Sequence, residues 1–236
     1  MVLRRFRRNR EEEDNGDLSG RLVTVLDPSG MASEAYRTLR TNLFYSVADI
    51  PPKVILFTSH SPREGKSTTC ANLGVVLAQA DKKTLILDCD LRKPVMHKVF
   101  GLRNINGLMN VLTGERELKD VCHEPLDGLK VLTVGPIPLN PAEVLSSRRF
   151  AQFLDRVRGE FDYVLLDAPP TRVVSDPIVL ASQGDGVLLV LDAKNTGKGA
   201  VRESLRGLEA VGANILGTVM NGDESAKAGG YYGYTY

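Results

Sequence analysis

Apolar runs five to seven residues long recur along this chain, and helix-spaced segments separate them. The strand-like runs are Val54–Thr58, Thr84–Asp88, Lys130–Val134, Tyr163–Asp167, Gly186–Leu191 and Ile215–Asn221. Near-continuous apolar strands of this kind are buried on both faces. Helical spacing appears over Ser33–Val47, where Ala35, Leu39 and Leu43 recur, and over Lys66–Ala80, Ser147–Arg158, Asp176–Ser182 and Gly197–Val211. Pro51-Pro52 ends the first of these helices. Leu22–Leu26 reads as a further short strand. The alternation predicts an α/β fold, a mainly parallel β-sheet flanked by helices on both faces. The pattern fades after Asn221, where the chain turns Gly-, Ala- and Tyr-rich. The expected organisation is a charged, disordered segment over 1–20, one folded domain over 21–222 and a flexible tail over 223–236.

Composition narrows the options. A chain of 236 residues, 42% of them hydrophobic, suits one such domain. A net charge of +1 gives no whole-chain attraction for nucleic acid, and none is expected as a partner. Charge is concentrated at the start, where Arg4, Arg5, Arg7, Arg8 and Arg10 precede Glu11–Asp14. Such a block is a solvated segment, or a contact for anionic lipid or a partner. Cys70, Cys89 and Cys122 are scattered and form no CxxC pair, which fits a reducing cytoplasm. No apolar run approaches the ~18 residues of a membrane span, so any membrane association is expected to be peripheral.

The chemistry lies at the ends of the apolar runs. Val54–Thr58 leads into Ser59-His60-Ser61-Pro62-Arg63-Glu64-Gly65-Lys66-Ser67-Thr68, and a helix follows. Strand, loop, Gly-Lys-Ser and helix form the context of a phosphate-binding loop. Loop N–H groups and the helix N-terminus present positive charge to phosphates. Lys66 would reach the β- and γ-phosphates of ATP, Ser67 would offer its hydroxyl to Mg2+, and Thr68 would touch the α-phosphate. The pattern departs from the full motif at His60, where a glycine is usual. Ser61 stands where partition and septum-site ATPases carry a second lysine.

Two further strands end in carboxylates. Asp88 and Asp90 close Thr84-Leu85-Ile86-Leu87-Asp88-Cys89-Asp90, and would share one side if the extended backbone continued. Asp167 ends Tyr163-Val164-Leu165-Leu166-Asp167, the Walker B form that supports Mg2+. Open α/β sheets bind ligands at such strand ends. Asn221 closes the last run; its amide can either read an adenine edge or make a turn. The chain ends Tyr231-Tyr232-Gly233-Tyr234-Thr235-Tyr236, four tyrosines in six residues.

Taken together these residues resemble the bacterial protein-tyrosine kinases, the BY-kinases of capsule and exopolysaccharide synthesis. The resemblance runs from about Ser33 to Tyr236. It is carried by Glu64-Gly65-Lys66-Ser67-Thr68, Asp88-Cys89-Asp90-Leu91-Arg92-Lys93-Pro94, Asp167-Ala168-Pro169-Pro170 and the terminal tyrosines. Glu34, Arg37 and Arg40 resemble the family's E-x2-R-x2-R segment. On spacing alone they would be a salt-bridged solvent face; the resemblance implies subunit contacts in a ring-like homo-oligomer.

The resemblance also implies an autokinase that phosphorylates Tyr231, Tyr232, Tyr234 and Tyr236 in trans. ATP and Mg2+ would be its cofactors, Glu64–Thr68 and Asn221 its nucleotide contacts, and Ser67, Asp90 and Asp167 its metal ligands. Asp88 would orient or deprotonate the tyrosine beside Lys66. A separate transmembrane adaptor is implied, recruiting a cytoplasmic chain to the inner face of the membrane. The tail is expected to be too short for its own site yet able to enter a neighbour's. Tyr36, Tyr45 and Tyr163 are expected to be structural. The competing readings are a partition- or positioning-type ATPase and an inactive nucleotide-binding scaffold.

Overall fold

The structure is a computed structural model and describes residues 20–45 and 51–222. Its centre is a sheet of β1 (Val54–Ser59), β2 (Thr84–Asp88), β3 (His123–Leu126), β4 (Leu129–Leu132), β5 (Tyr163–Asp167), β6 (Gly186–Asp192) and β7 (Ile215–Asn221). The strand order is β3-β4-β2-β5-β1-β6-β7. Every neighbouring pair is parallel except β3 with β4. The six strands expected from sequence are all present, within a residue or two at their ends.

Strand residues alternate between two cores. Ile55, Phe57, Ile86, Leu165 and Val190 face one side; Val54, Leu56, Leu87, Leu166 and Val187 face the other. The first side is covered by α1 (Val23–Leu26), α2 (Met31–Tyr45), α3 (Lys66–Ala78) and α4 (Met96–Phe100). The second is covered by α5 (Leu108–Thr113), α6 (Leu118–Val121), α7 (Pro141–Leu145), α8 (Arg148–Glu160), α9 (Asp176–Ala181) and α10 (Lys198–Glu209). This two-sided burial is why the strands read as unbroken apolar runs. Each buried Leu or Ile contributes ~1.5–3 kcal/mol, against tenths for helix propensity, so packing fixes these elements.

The helix that follows the phosphate loop, α3, is buried on nearly every side; only Thr68 of its 13 residues is not. Such a helix lies between layers rather than on a surface. Gly74 lets it approach β2, where an added Cβ would meet the Ile86 side chain. Asn72 then ties α1 to it. Its Oδ1 accepts from Thr24 N at 3.0 Å and Thr24 Oγ1 at 2.8 Å. Its Nδ2 donates to Arg21 O at 2.7 Å and Thr68 O at 2.8 Å.

The expected strand at Leu22–Leu26 is instead the helical turn of α1. Leu22 and Val25, three apart, bury together in the core, and Thr24 is held by Asn72. An apolar run this short does not distinguish the two geometries. Sequence reading gave no element between β2 and β4, where α4, α5, α6 and β3 lie, and none at α7. Each is four to six residues long, shorter than the window in which periodicity is visible. Pro125 also disguises β3, and it is tolerated there because β3 is an edge strand.

Ring contexts are mixed. Tyr163 stacks on Phe44 at 5.9 Å and Tyr36 packs against the core, as expected of structural residues, but Tyr45, expected to join them, is 84% exposed. Among the described residues no helix is long and apolar enough to cross a membrane.

Asn72→Ala is expected to cost about 2–3 kcal/mol, because it strands buried polar groups of Thr24, Arg21 and Thr68. Urea unfolding measures the loss, and hydrogen exchange should show protection falling first over residues 21–26.

Candidate nucleotide and catalytic site

The strands that matter end at one edge of the sheet. Asp88 and Asp167 are register partners on β2 and β5, and Phe57 pairs with Asp167 from β1 on the other side. Parallel pairing therefore sets two carboxylates side by side, next to the loop that leaves β1. Lys66 opens α3 and turns its ammonium to them. Lys66 Nζ lies 3.1 Å from Asp167 Oδ1, 3.5 Å from Asp90 Oδ2 and 3.1 Å from Ser67 Oγ. All of Lys66, Asp88, Asp90 and Asp167 are buried. The structure thus brings together the four residues that sequence reading named as catalytic.

Extended geometry does not continue through Asp90: β2 stops at Asp88 and the chain turns. The turn is organised by Asp88 itself. Its Oδ2 accepts from Val95 N and Met96 N, each at 2.9 Å, and its Oδ1 from Asp90 N at 3.3 Å. Asp90 Oδ1 accepts in turn from Lys93 N at 3.0 Å. Arg92, from the same turn, makes a two-pronged contact with the fully buried Asp176 at 2.9 and 3.2 Å.

Charge crowding shifts the acids. Burial, and then the Asp167 charge, pushes Asp88 up to about 7. Burial also raises Asp167, opposed by Lys66. Burial alone would pull Lys66 down, but Asp167 and Asp90 outweigh it and hold the ammonium above its usual value. Cys70 and Cys89, buried beside these carboxylates, are pushed well up by burial and stay thiols.

The loop is braced from three directions. Glu64 Oε2 accepts from His60 N at 2.9 Å and Ser61 N at 3.1 Å, while Oε1 accepts from Thr196 Oγ1. Asn221 Nδ2 donates to Glu64 O at 3.2 Å. His60 Nδ1 lies 3.0 Å from Ser204 Oγ on α10, which is 2.8 Å from Thr171 Oγ1; Thr171 N donates to Ser59 O. Glu64 and Asn221, expected at the nucleotide, thus hold the loop's shape from within this structure. Thr171, Asp176, Thr196 and Ser204 were missed in sequence, because single polar residues far along the chain carry no local signal. Gly65 is legible only in part. Its φ of 94° favours glycine, and an added Cβ would strike the Asn221 side chain.

The donor set fits a metal–nucleotide pair. Asp167 Oδ2 is buried without a hydrogen-bond partner, and the Ser67 hydroxyl acts on the same carboxyl group. A hydroxyl and one or two carboxylates, completed by phosphates and water, are the usual protein share of a Mg2+ site. Among the described residues no group of three or more His, Cys, Asp and Glu forms an all-protein metal cage.

Elsewhere, Glu34 and Arg37 form a local ion pair at 2.9 Å, and Arg37 Nη2 also donates to Pro28 O at 2.6 Å. Arg40 turns inward, donating from Nη1 to Val76 O on α3 at 3.0 Å. The three residues do not present one common outward face. Tyr231, Tyr232, Tyr234, Tyr236 and the Arg-rich start lie outside the described residues.

A phosphate loop between β1 and α3, with acidic strand ends on β2 and β5, defines a P-loop nucleotide-binding protein of the parallel-sheet type. A family model described as an AAA domain matches residues 52–215. Tyrosine-protein kinase YwqD of Bacillus subtilis is 38% identical over 99% of this chain and 97% of its own length. The crystal structure of the chimerical protein CapA2B2 superposes with a TM-score of 0.82 at 36% identity, covering 87% of this chain and 92% of that one. The kinase domain of Escherichia coli tyrosine kinase ETK gives 0.82 at 33% identity, over 96% and 89%. The chain belongs to the family of bacterial tyrosine-protein kinases.

Gly65→Ala should retain the fold by circular dichroism yet weaken Mg-nucleotide binding by at least tenfold in calorimetry. Adding Asn221→Gly should restore only part, since it removes the collision and leaves the backbone strain.

Proposed function

We propose that this protein transfers the γ-phosphoryl group of ATP to tyrosines of its own C-terminal cluster, Tyr231, Tyr232, Tyr234 and Tyr236. The folded domain over 21–222 is the kinase, and residues 223–236 are its substrate segment. The observation that carries the reading is the Lys66 bridge to Asp167 and Asp90 beside Asp88, on a chain that ends in four tyrosines. Membership of the tyrosine-kinase family favours this reading over a partition-type ATPase.

In this reading Lys66 exchanges its Asp167 contact for the β- and γ-phosphates. Ser67, Asp90 and Asp167 would hold Mg2+, which would neutralise phosphate charge when bound. Loop N–H groups and Thr68 hold the remaining phosphates. A tyrosine hydroxyl has a pKa of about 10, so its proton needs an acceptor. In this reading Asp88 takes it as the phenolic oxygen bonds to the γ-phosphorus. The bond from that phosphorus to the bridging oxygen breaks, and ADP leaves with the electron pair. Positioning and fixed charge supply most of the barrier reduction. Exposed Leu139, Ile137 and Val173, on loops that leave the same ends of β4 and β5, would offer an aromatic substrate segment apolar surface.

Reach does not itself impose transfer in trans. Four strand spacings separate β7 from β2, ~19 Å in all, and the ten residues from Asn221 to Tyr231 extend up to ~33 Å. We take the trans route from the family resemblance, with a ring-like homo-oligomer using the Glu34–Arg40 helix. A transmembrane adaptor of capsule or exopolysaccharide export would recruit the protein peripherally to the inner membrane face. Each phosphate adds about −1.5 to −2 charges, so a filled tail would repel the acidic site and loosen the ring.

With Mg-ATP, mass spectrometry should find phosphate on Tyr231–Tyr236 that Lys66→Met abolishes, lowering incorporation at least a hundredfold. Mixing Lys66→Met with a catalytically intact protein truncated after residue 222 tests the route. Phosphate on the Lys66→Met tail means transfer between subunits; a blank there, beside labelling of the intact protein alone, means transfer within one. No tyrosine phosphate in any sample, with the adaptor's cytosolic segment added, would favour the scaffold.

A further inference from the structure

Arg63 stands in the phosphate loop with a φ of 69°. That left-handed region is unfavourable for side chains with a Cβ and ordinary for glycine. Among the described residues Asp81, in the turn after α3, is the only other non-glycine with positive φ. The Arg63 side chain is exposed and has no hydrogen bond or ion pair with any described residue. An arginine is therefore held in a strained backbone position without any fold contact to justify it. Strain kept without a packing return points to a contact made only when something binds.

The charge of the site says what that contact would be. Three carboxylates, Asp88, Asp90 and Asp167, surround the single ammonium of Lys66. A nucleoside triphosphate adds negative charge that one divalent cation only partly offsets. Arg92, in the turn after β2, is committed to Asp176. Within Ser59–Lys66, Arg63 and Lys66 are the only side chains of fixed positive charge. Arg63 stands three residues before Lys66 in the loop whose main-chain N–H groups would cradle the phosphates, so its exposed guanidinium would be within reach of the terminal one.

We propose that Arg63 binds the terminal phosphate of the bound triphosphate, supplying a second cation that the carboxylate-rich site lacks. The inference rests on reading this site as the ATP site. Its consequence is selective: a guanidinium on the γ-phosphate favours ATP over ADP, because ADP has no group for it to meet. Arg172 is the rival. It is exposed, and its main-chain N donates to His60 O at 3.2 Å, so it too borders the loop.

The test measures Mg2+-dependent binding of a non-hydrolysable ATP analogue and of ADP by calorimetry, with thermal unfolding of the nucleotide-free protein. Arg63→Gly should weaken the analogue about tenfold and leave ADP within about twofold. Its nucleotide-free midpoint should hold or rise by ~2 °C, since relieved strain offsets the added freedom of glycine in the unfolded chain. Arg63→Lys should recover part of the preference for the triphosphate, and Arg172→Ala should leave it unchanged. Equal loss of both ligands in Arg63→Gly, loss of neither, or transfer of the effect to Arg172→Ala overturns the proposal while the site reading stands. Wild-type protein that binds neither ligand overturns both.

Discussion

Three carboxylates buried at one sheet edge around a single ammonium are the constraint on which the rest of this structure turns. Burying charge is costly unless it is paired and hydrogen-bonded. Lys66 serves two of the three acids, and the third, Asp88, is served by main-chain N–H groups from the turn it organises. The remaining deficit appears as the raised Asp88 and the unpartnered oxygen of Asp167. Sheet register is what forces the crowding, because Asp88 and Asp167 end adjacent parallel strands at the same level. A site this unfavourable to the resting fold is arranged for charge that arrives from outside.

The phosphate loop is shaped by contacts that do not touch phosphate. Glu64 occupies the His60 and Ser61 N–H groups, Asn221 takes the Glu64 carbonyl, and His60 joins Ser204 and Thr171. Where a glycine would leave the loop entry unfilled, His60 uses its ring to connect the loop to α10. The loop is thus tied to β6–α10, to β7 and to the segment after β5, while Asn72 ties the start of α3 to the amino-terminal helix. Rigid support of this kind is what precise phosphate geometry requires.

The parallel sheet was legible because burial on two faces writes itself into sequence as unbroken apolar runs. So were Lys66, Asp88, Asp90 and Asp167, whose strand-end positions carry a local pattern. Their mutual placement was legible only in outline: the turn after Asp88 depends on hydrogen bonds to Val95 and Met96, seven and eight residues on. The short elements between β2 and β4 lay below the resolution of periodicity. Leu22–Leu26 showed apolarity without the partner that decides between strand and helix, and that partner, Asn72, is 48 residues from Thr24. Spacing placed Glu34, Arg37 and Arg40 on one helix face, yet Arg40 found a carbonyl on the neighbouring helix instead.

The strand order also governs when the site can exist during folding. The central pair joins Val54 to Val164, 110 residues apart, and Asp88 meets Asp167 only across 79. Pairing so distant in sequence carries a large loop-closure cost and slows folding. During synthesis the phosphate loop and the first two acids emerge well before β5, so for that interval they have no architecture to join. Nucleotide therefore cannot template the early chain; it can only bind a sheet that has already closed, and draw that last step forward by mass action.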